Sequence, residues 1–495
     1  MNRSWNSKFV FEVILRSLSV CFLGWSLSVS SAFASNLEGK LSNDLIRALN
    51  QQDESVGIIV MMEPVLPLPT QLMGELTVSQ KQKLIKERAI RSQSAMREFV
   101  NERVSQRTLT GEKSLSKYKF FWNMNGFMAQ ATPETVVEIA DRPEVKKIHL
   151  DRTIKLLPTR RVAGREEAGK FTYGLEKIGV PELRSSRSEI TGKDVIVGIL
   201  DTGIDPEHSD LKGKMIAYKD FTSSSTKPSD EHGHGTHVAG TISGGDASGT
   251  HIGVAPSVKL VIAKVFSASG SATLSGLLRA MEWIVDPDGD PKTNDRPRVV
   301  NNSWGGGAQS DIKDDPFYQA VQTWVEMDIF PSFAAGNEGP SAETIGSPGC
   351  LPNAFAVGAT DDADKIARFS SRGPVEMVID GKRTKYTKPD ISAPGVNIYS
   401  SLPDGQYEAW SGTSMATPHV TGAIALLYQI KPDLTIQQVR DLITKTSQDL
   451  GQQGMDDSFG HGRMQINATV DQIGSEHIET GPVDRDQDGQ LEFDW

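Results

Sequence analysis

Short apolar segments alternate with helical patterns through the second half of the chain. Val195 to Leu200 is a continuous apolar run, which predicts a strand buried on both faces. Similar strands are predicted at Lys259–Phe266, Arg298–Ser303, Ile329–Ala335 and Ala354–Thr360. Between them, Leu274–Val285 and Phe317–Met327 have the spacing of helices. This alternation indicates an α/β fold, a doubly wound, mostly parallel sheet with helices on both faces.

The preceding part of the chain has a different pattern. Its predicted elements, in order, are the strand Val56–Met62, the helix Val78–Ser105, strands within Tyr118–Ala131, the helix Pro133–Ala140 and alternation over Val145–Leu157. The order β-α-β-β-α-β predicts a small α+β open sandwich with its helices on one face.

Charge divides the chain at about the same place. Residues 35–165 contain 21 Lys/Arg and 15 Asp/Glu, whereas the whole chain has a net charge of -11. The remainder is therefore strongly acidic, which suggests electrostatic complementarity between the two parts. The negative total argues against nucleic acid as a partner.

The first 34 residues have the pattern of an export signal. Arg3, Lys8 and Arg16 precede an uncharged apolar run from Leu18, and Ala32-Phe33-Ala34 matches a signal-peptidase site. We therefore expect a signal peptide over 1–34, a secreted or periplasmic product and no stable membrane insertion. An uncleaved anchor and lipidation of a cysteine at position 21 remain alternatives. Cleavage would leave one cysteine, and so no internal disulfide.

Four polar residues lie where a parallel sheet places its sites. Asp201 and Asn337 each follow a predicted strand. His234 lies in a glycine turn that leads into a small-residue helix, and Ser414 opens a helix of small and apolar residues. Because sites form at the carboxyl ends of parallel strands, we expect these side chains around one cleft.

These residue types suit acyl transfer. A serine hydroxyl needs a base to accept its proton, and histidine accepts and returns protons near neutral pH. A buried carboxylate orients the imidazole and stabilises its cation. The Asn337 amide can donate to the developing oxyanion together with the Ser414 backbone N–H, which lies at a positively polarised helix start.

Three motifs in the order Asp, His, Ser resemble the subtilisin-like serine peptidases. They are Asp201-Thr202-Gly203, His234-Gly235-Thr236-His237 and Gly412-Thr413-Ser414-Met415-Ala416-Thr417-Pro418. The resemblance covers about 300 residues, from Phe171 to about Asn467, and the insertion Asp286–Asp290 resembles the bacillopeptidase F-like branch. It implies that Asp201 orients, His234 is the general base, Ser414 the nucleophile and Asn337 the oxyanion donor.

The same resemblance implies a domain order and a substrate. Residues 35–165 resemble an inhibitory propeptide, 171–470 form the peptidase domain, and 471–495 form an acidic tail. Ser303, Trp304 and Gly305 match the strand that pairs with an extended peptide. We expect a monomeric, self-processed zymogen that acts on protein and peptide substrates. The maturation cut is expected between Leu156 and Tyr173.

Other interpretations are weaker. The related sedolisin type uses a Glu base and an Asp oxyanion residue, which His234 and Asn337 disfavour. A silenced binding protein on the same scaffold is disfavoured because every catalytic position is occupied. No cofactor is expected for the chemistry. Structural calcium is left open: Asp210 matches a family ligand, but the loop Gly245–His251 departs from the usual pattern, and Asp484–Gly489 lacks the last ligand of a calcium loop.

Overall fold

The protein was analysed as a computed structural model. It describes residues 37, 39–51, 55–65, 76–105, 113–162, 170–307 and 310–475. The predicted signal peptide and most of the predicted acidic tail lie outside these residues. The described chain forms two compact units: one contains the residues before 66, Gln82–Thr153 and Thr273–Leu278, and the other contains the remainder.

The first unit is a four-stranded antiparallel sheet with the strand order β2-β3-β1-β4. Its strands are β1 (Val56–Met62), β2 (Leu115–Phe121), β3 (Gly126–Ala131) and β4 (Val145–Leu150). The helices are α1 (Asn43–Leu49), α2 (Val78–Ser92), α3 (Ser94–Ser105) and α4 (Pro133–Asp141). Alternate β1 residues, Ile58 and Val60, share a core with Leu45, Phe99 and Ile139 of α1, α3 and α4. The predicted open sandwich is confirmed, although the predicted helix over 78–105 is two helices and α1 was missed.

The second unit is built on a parallel sheet. From residue 153 onward the strands are β5 (Thr153–Lys155), β6 (Arg160–Val162), β7 (Ile196–Asp201), β8 (Met215–Asp220), β9 (Lys259–Lys264), β10 (Ser271–Thr273), β11 (Val299–Asn302), β12 (Phe330–Ala334), β13 (Phe355–Thr360), β14 (Val375–Ile379), β15 (Lys382–Tyr386), β16 (Ile391–Pro394), β17 (Ile398–Leu402) and β18 (Gln406–Ser411). Seven of them form the sheet β16-β13-β12-β11-β7-β9-β8, in which every pairing is parallel. This confirms the predicted fold class.

Helices cover both faces of this sheet. They are α5 (Tyr173–Lys177), α6 (Val180–Ser186), α7 (His234–Ser243), α8 (Leu274–Trp283), α9 (Pro316–Glu326), α10 (Thr413–Ile430), α11 (Ile436–Lys445) and α12 (Ile466–Ser475). Phe330 of β12 belongs to the core that contains α7 and α10, whereas Phe333 stacks on Trp324 of α9. Since residues three apart on a strand point to opposite faces, α9 and α10 lie on opposite sides of the sheet.

Two features bear on the predicted boundaries. Helix α12 runs through residue 470, so the boundary predicted there divides a helix. Among the described residues, no helix combines the length and the apolar character needed to cross a bilayer.

Candidate active site

Asp201 and His234 form a fully buried pair at the carboxyl edge of the sheet. Asp201 is the last residue of β7, and His234 is the first residue of α7, following Gly233 with φ = +90°. His234 Nδ1 lies 2.7 Å from Asp201 Oδ1, which also accepts a hydrogen bond from the Thr202 backbone N–H at 2.8 Å. Within the described part of the chain, His234 Nε2 has no hydrogen-bond partner. The ring therefore donates through Nδ1 and keeps Nε2 available to accept a proton.

Asp230 links the two elements that carry this pair. One of its carboxylate oxygens accepts from Thr202 Oγ1 at 2.7 Å and from the Gly233 N–H at 2.8 Å. The other accepts from the Thr236 N–H at 2.8 Å and from Thr236 Oγ1 at 2.7 Å. Asp230 therefore joins the loop after β7 to the first turn of α7. The sequence analysis missed it, although an acidic residue just before a helix start is a recognisable capping signal.

The backbone packs closely at the same junction. A Cβ atom on Gly235 would lie 2.1 Å from the Gly203 carbonyl oxygen, so a side chain there would push α7 away from β7. Lys264, at the end of β9, is buried and donates to the Thr202 carbonyl and, at 2.7 Å, to Glu231 Oε2. The hydrogen bond from Lys264 lowers the pKa of Glu231 to about 2. These contacts hold the loop that carries Asp201 from a second side.

Ser414 is buried at the second position of α10. Its hydroxyl donates to the Ser303 carbonyl at 3.1 Å, and the Ser303 hydroxyl donates to the Ser414 carbonyl at 2.8 Å. The Ser414 carbonyl is open to this bond because Pro418, four residues later, has no N–H to donate. The described hydrogen bonds include none between Ser414 Oγ and His234, so catalysis requires the hydroxyl to rotate away from Ser303.

Thr413 determines the orientation of the Asn337 amide. Asn337 Oδ1 accepts from the Thr413 N–H at 2.9 Å and from Thr413 Oγ1 at 2.8 Å. Because a backbone N–H requires an acceptor, the oxygen must face Thr413 and Nδ2 must face the other way. Nδ2 donates to the Pro158 carbonyl at 2.9 Å. The amide is thus held as a donor to a peptide carbonyl beside the start of α10.

That carbonyl belongs to a segment of the chain that occupies the cleft, residues 154–162. The Leu156 N–H donates to the Gly270 carbonyl at 2.9 Å, and Ile154 and Leu157 are buried. Beyond Pro158, β6 pairs with β18 in antiparallel register. The segment therefore passes the start of α10 in an extended form and carries a peptide group at the Asn337 donor.

Comparison with known proteins agrees with this site. The family model described as the Subtilase family matches residues 192–462, which is more than half of the chain. The chain belongs to the subtilase family. A second model, described as Peptidase inhibitor I9, matches residues 58–157. The protein is therefore a subtilisin-like serine endopeptidase that carries an inhibitor segment of the kind found in zymogens.

Several curated subtilases are similar to the chain. Bacillopeptidase F of Bacillus subtilis (strain 168) is 34% identical over 408 residues, which cover 74% of this chain but only 27% of that protein. Serine protease AprX of the same organism is 36% identical over 356 residues, which cover 66% of this chain and 75% of AprX. Subtilisin E of that organism is 37% identical over 330 residues, covering 66% and 77%. The predicted resemblance to the bacillopeptidase F-like branch is in line with the first of these.

The predicted substrate strand of this subtilase, Ser303 to Gly305, follows β11 at the same edge. The Trp304 side chain is fully buried against Phe317 and Phe333, with ring centroids 5.5 and 5.7 Å away. Only the backbone of this strand can then pair with a peptide. The described hydrogen bonds to residues 154–162 come from Gly270, Asn337 and β18, and none comes from Ser303–Gly305, so its role stays a prediction.

The histidines near His234 are bound to backbone carbonyls and do not gather into a metal site. His237 Nε2 lies 3.0 Å from the Ile398 carbonyl and 3.1 Å from that of Glu408, and burial lowers its pKa to about 3. His419 Nδ1 lies 2.9 Å from the Met415 carbonyl, and burial lowers its pKa to about 4. Both rings are therefore neutral at physiological pH.

The surroundings of Asp210 do not fit a calcium site. Asp210 Oδ1 accepts from the Ala247 N–H at 3.0 Å, and Oδ2 accepts from the Tyr407 hydroxyl at 2.6 Å. A calcium ion needs oxygen ligands, whereas these groups direct hydrogens at both carboxylate oxygens. Lys214 lies near enough for Asp210 to oppose the lowering of its pKa, which burial takes to about 8. The assignment of Asp210 as a metal ligand stays a prediction, and this donor set does not support it.

Proposed function

We propose that this subtilase is a secreted, self-processed endopeptidase that hydrolyses peptide bonds in extended segments through an acyl-enzyme. Ser414 is the nucleophile, His234 the general base and acid, Asp201 the orienting carboxylate and Asn337 the oxyanion donor. The observation that carries the proposal is the hydrogen bond from Asn337 Nδ2 to the Pro158 carbonyl. It places a donor on a peptide carbonyl of an extended chain next to the helix that begins with the candidate nucleophile.

The proposed first step is attack by Ser414 on the substrate carbonyl. His234 accepts the hydroxyl proton at Nε2, and Asp201 stabilises the resulting imidazolium through the hydrogen bond at Nδ1. The carbonyl oxygen becomes negative and receives hydrogen bonds from Asn337 Nδ2 and the Ser414 backbone N–H. The peptide bond then breaks as His234 returns the proton to the leaving amine, and the acyl group stays on Ser414.

In the second step a water molecule replaces the leaving amine. His234 removes its proton, hydroxide attacks the acyl-enzyme, and the Ser414 hydroxyl is restored with release of the carboxylic acid. The buried Asp201–His234 pair suits both steps because it keeps the same tautomer throughout. No metal is needed for this sequence of proton transfers.

The I9-type match and the cleft-bound segment support the zymogen part of the proposal. The peptide group at Asn337 is Pro158–Thr159, inside the interval Leu156 to Tyr173 in which we propose the maturation cut. Residues 35–165 are proposed as the propeptide, 171–470 as the peptidase domain and 471–495 as a tail. Export is proposed from the basic and apolar pattern of residues 1–34.

The proposal is tested with Ser414→Ala and a matched control. Ser224 is exposed in the loop after β8, so Ser224→Ala makes the same chemical change away from the cleft. We expect wild type and Ser224→Ala to shed the propeptide, to cleave casein and to react with a fluorophosphonate probe. Ser414→Ala should do none of these, and intact mass should locate the cleavage points. Maturation and casein cleavage by Ser414→Ala would contradict the assignment.

A further inference from the structure

The cleft-bound segment continues beyond Pro158 as a strand on β18. Arg160 lies opposite Ser411, Arg161 opposite Trp410 and Val162 opposite Ala409. Because Asn337 donates to the Pro158 carbonyl, these residues follow the peptide group at the candidate reacting position. The edge of β18 therefore faces the leaving-group side of a bound peptide.

Trp410 contacts the side chain of this strand directly. The Arg161 guanidinium carbon lies 4.1 Å from the centre of the Trp410 ring, within the range of a cation–π interaction. The His237 ring stacks on the same indole with centroids 4.9 Å apart and an interplanar angle of 15°. Two groups at these distances cannot share one face of the indole, so Arg161 covers the face that His237 leaves open.

The surroundings of the indole suit a cation. Trp410 Nε1 donates to Glu408 Oε2 at 2.6 Å, which fixes the ring plane and places a carboxylate at its edge. On the other face, His237 is fully buried, and its low pKa of about 3 keeps it uncharged. The carboxylate attracts a positive group on the open face, and the neutral imidazole does not repel one.

We propose that Trp410 forms a subsite for a basic side chain on the leaving-group side of the cleft. Arg161 is the third residue after the peptide bond held at Asn337, so substrates with arginine or lysine at the third position after the scissile bond are preferred. In the zymogen, Arg161 occupies the subsite. The inference rests on the proposed function and adds a substrate preference to it.

The experiment uses the mature enzyme and internally quenched peptides that differ at one residue. The third residue after the scissile bond is arginine, lysine, glutamate or citrulline, the last being a neutral near-isostere of arginine. We expect kcat/KM for arginine to exceed that for citrulline by roughly 2- to 30-fold, the range that a cation–π contact provides. Moving the arginine to the second or fourth position should remove the preference.

Two Trp410 variants locate the effect. Trp410→Leu should bring the arginine-to-citrulline ratio close to one, whereas Trp410→Phe should retain part of it because phenylalanine keeps a weaker aromatic face. Since Trp410 packs on His237, each variant is also assayed on a short chromogenic substrate that has no residue after the scissile bond. The ratio within one variant cancels any general loss of activity that this assay reveals.

Three results would overturn the inference while leaving the proposed function intact. They are equal rates for arginine and citrulline in the wild type, a preference at another position, and an unchanged preference in Trp410→Leu. Failure of the wild type to cleave any of the peptides, including the short substrate, would instead overturn the proposed function.

Discussion

Replacement of Asp230 by asparagine tests whether this carboxylate positions the catalytic pair. The change keeps the shape of the side chain and removes one acceptor oxygen. If the amide oxygen takes the side of Thr202 and Gly233, the amide nitrogen must face the Thr236 N–H and hydroxyl. The opposite orientation loses the bonds to Thr202 and Gly233. Either way, buried donors at the junction between β7 and α7 lose their acceptor.

The cost follows from the better of the two orientations. The Thr236 hydroxyl can rotate to accept from the new amide, but the Thr236 N–H cannot and is left unpaired. A hydrogen bond to a charged group contributes about 1.5–3 kcal/mol, so we expect the free energy of unfolding to fall by about 2–3 kcal/mol. Because His234 begins α7, a shift of that helix should also lower kcat/KM by roughly 10- to 100-fold.

Stability is measured by denaturant unfolding in a Ser414→Ala background, which prevents self-digestion, and kcat/KM is measured in the active protein. Asp390→Asn is the matched control. Asp390 precedes β16, at the amino edge of the sheet, and its carboxylate accepts from the Ala356 N–H and the Lys388 ammonium, each at 2.6 Å. The control should lose stability without the specific loss of kcat/KM.

A spectroscopic signature separates positioning from simple destabilisation. The hydrogen shared by His234 and Asp201 gives a downfield proton signal, which should move in Asp230→Asn and stay in place in Asp390→Asn. Lower stability together with wild-type kcat/KM and an unchanged signal would refute the positioning role and leave Asp230 as a structural anchor.

Three further predictions concern individual groups. Asn337→Leu should lower kcat by roughly 10²–10³-fold with little change in KM, the range typical for an oxyanion donor in this family rather than one derived from the structure; rates on a chromogenic peptide check it, and a fall confined to KM would contradict it. The pKa values of His237 and His419 are lowered to about 3 and 4, so the unfolded chain binds more protons below about pH 6.5. The denaturation midpoint of the Ser414→Ala protein should therefore fall as pH drops from about 6.5 toward 4, with a smaller slope in His419→Asn; an equal slope would contradict this. Burial raises the pKa of the Cys350 thiol, so intact mass should show that iodoacetamide modifies the denatured protein but not the native one.

Much of the fold could be predicted because its signals are local. A fully apolar run such as Val195–Leu200 loses solvent on both faces only in a covered parallel strand, and β7 is observed there, at Ile196–Asp201. The start of α10 was predicted from the small residues around Ser414, and the helix begins one residue earlier. Strands with weaker patterns were missed, among them the edge strand β8 and the hairpin of β17 and β18. Their residues are partly exposed, so burial leaves little mark on the sequence.

The candidate site divides in the same way. The residue types and their order along the chain pointed to Asp201, His234, Asn337 and Ser414, because each follows a strand or begins a helix. The roles of Asp230 and Thr413 depend on hydrogen bonds between segments that are distant in sequence, and no local pattern encodes such bonds.

The sequence by itself determined the alternation of strands and helices, the order of the three motifs and the presence of a separate basic segment. Only the tertiary structure decided which way the Asn337 amide faces, that the Ser414 hydroxyl bonds to Ser303, and that residues 154–162 lie in the cleft. Periodicity and helix starts arise from neighbours along the chain. Orientation arises instead from contacts that exist only after distant segments have packed together, as Arg161 and Trp410 do.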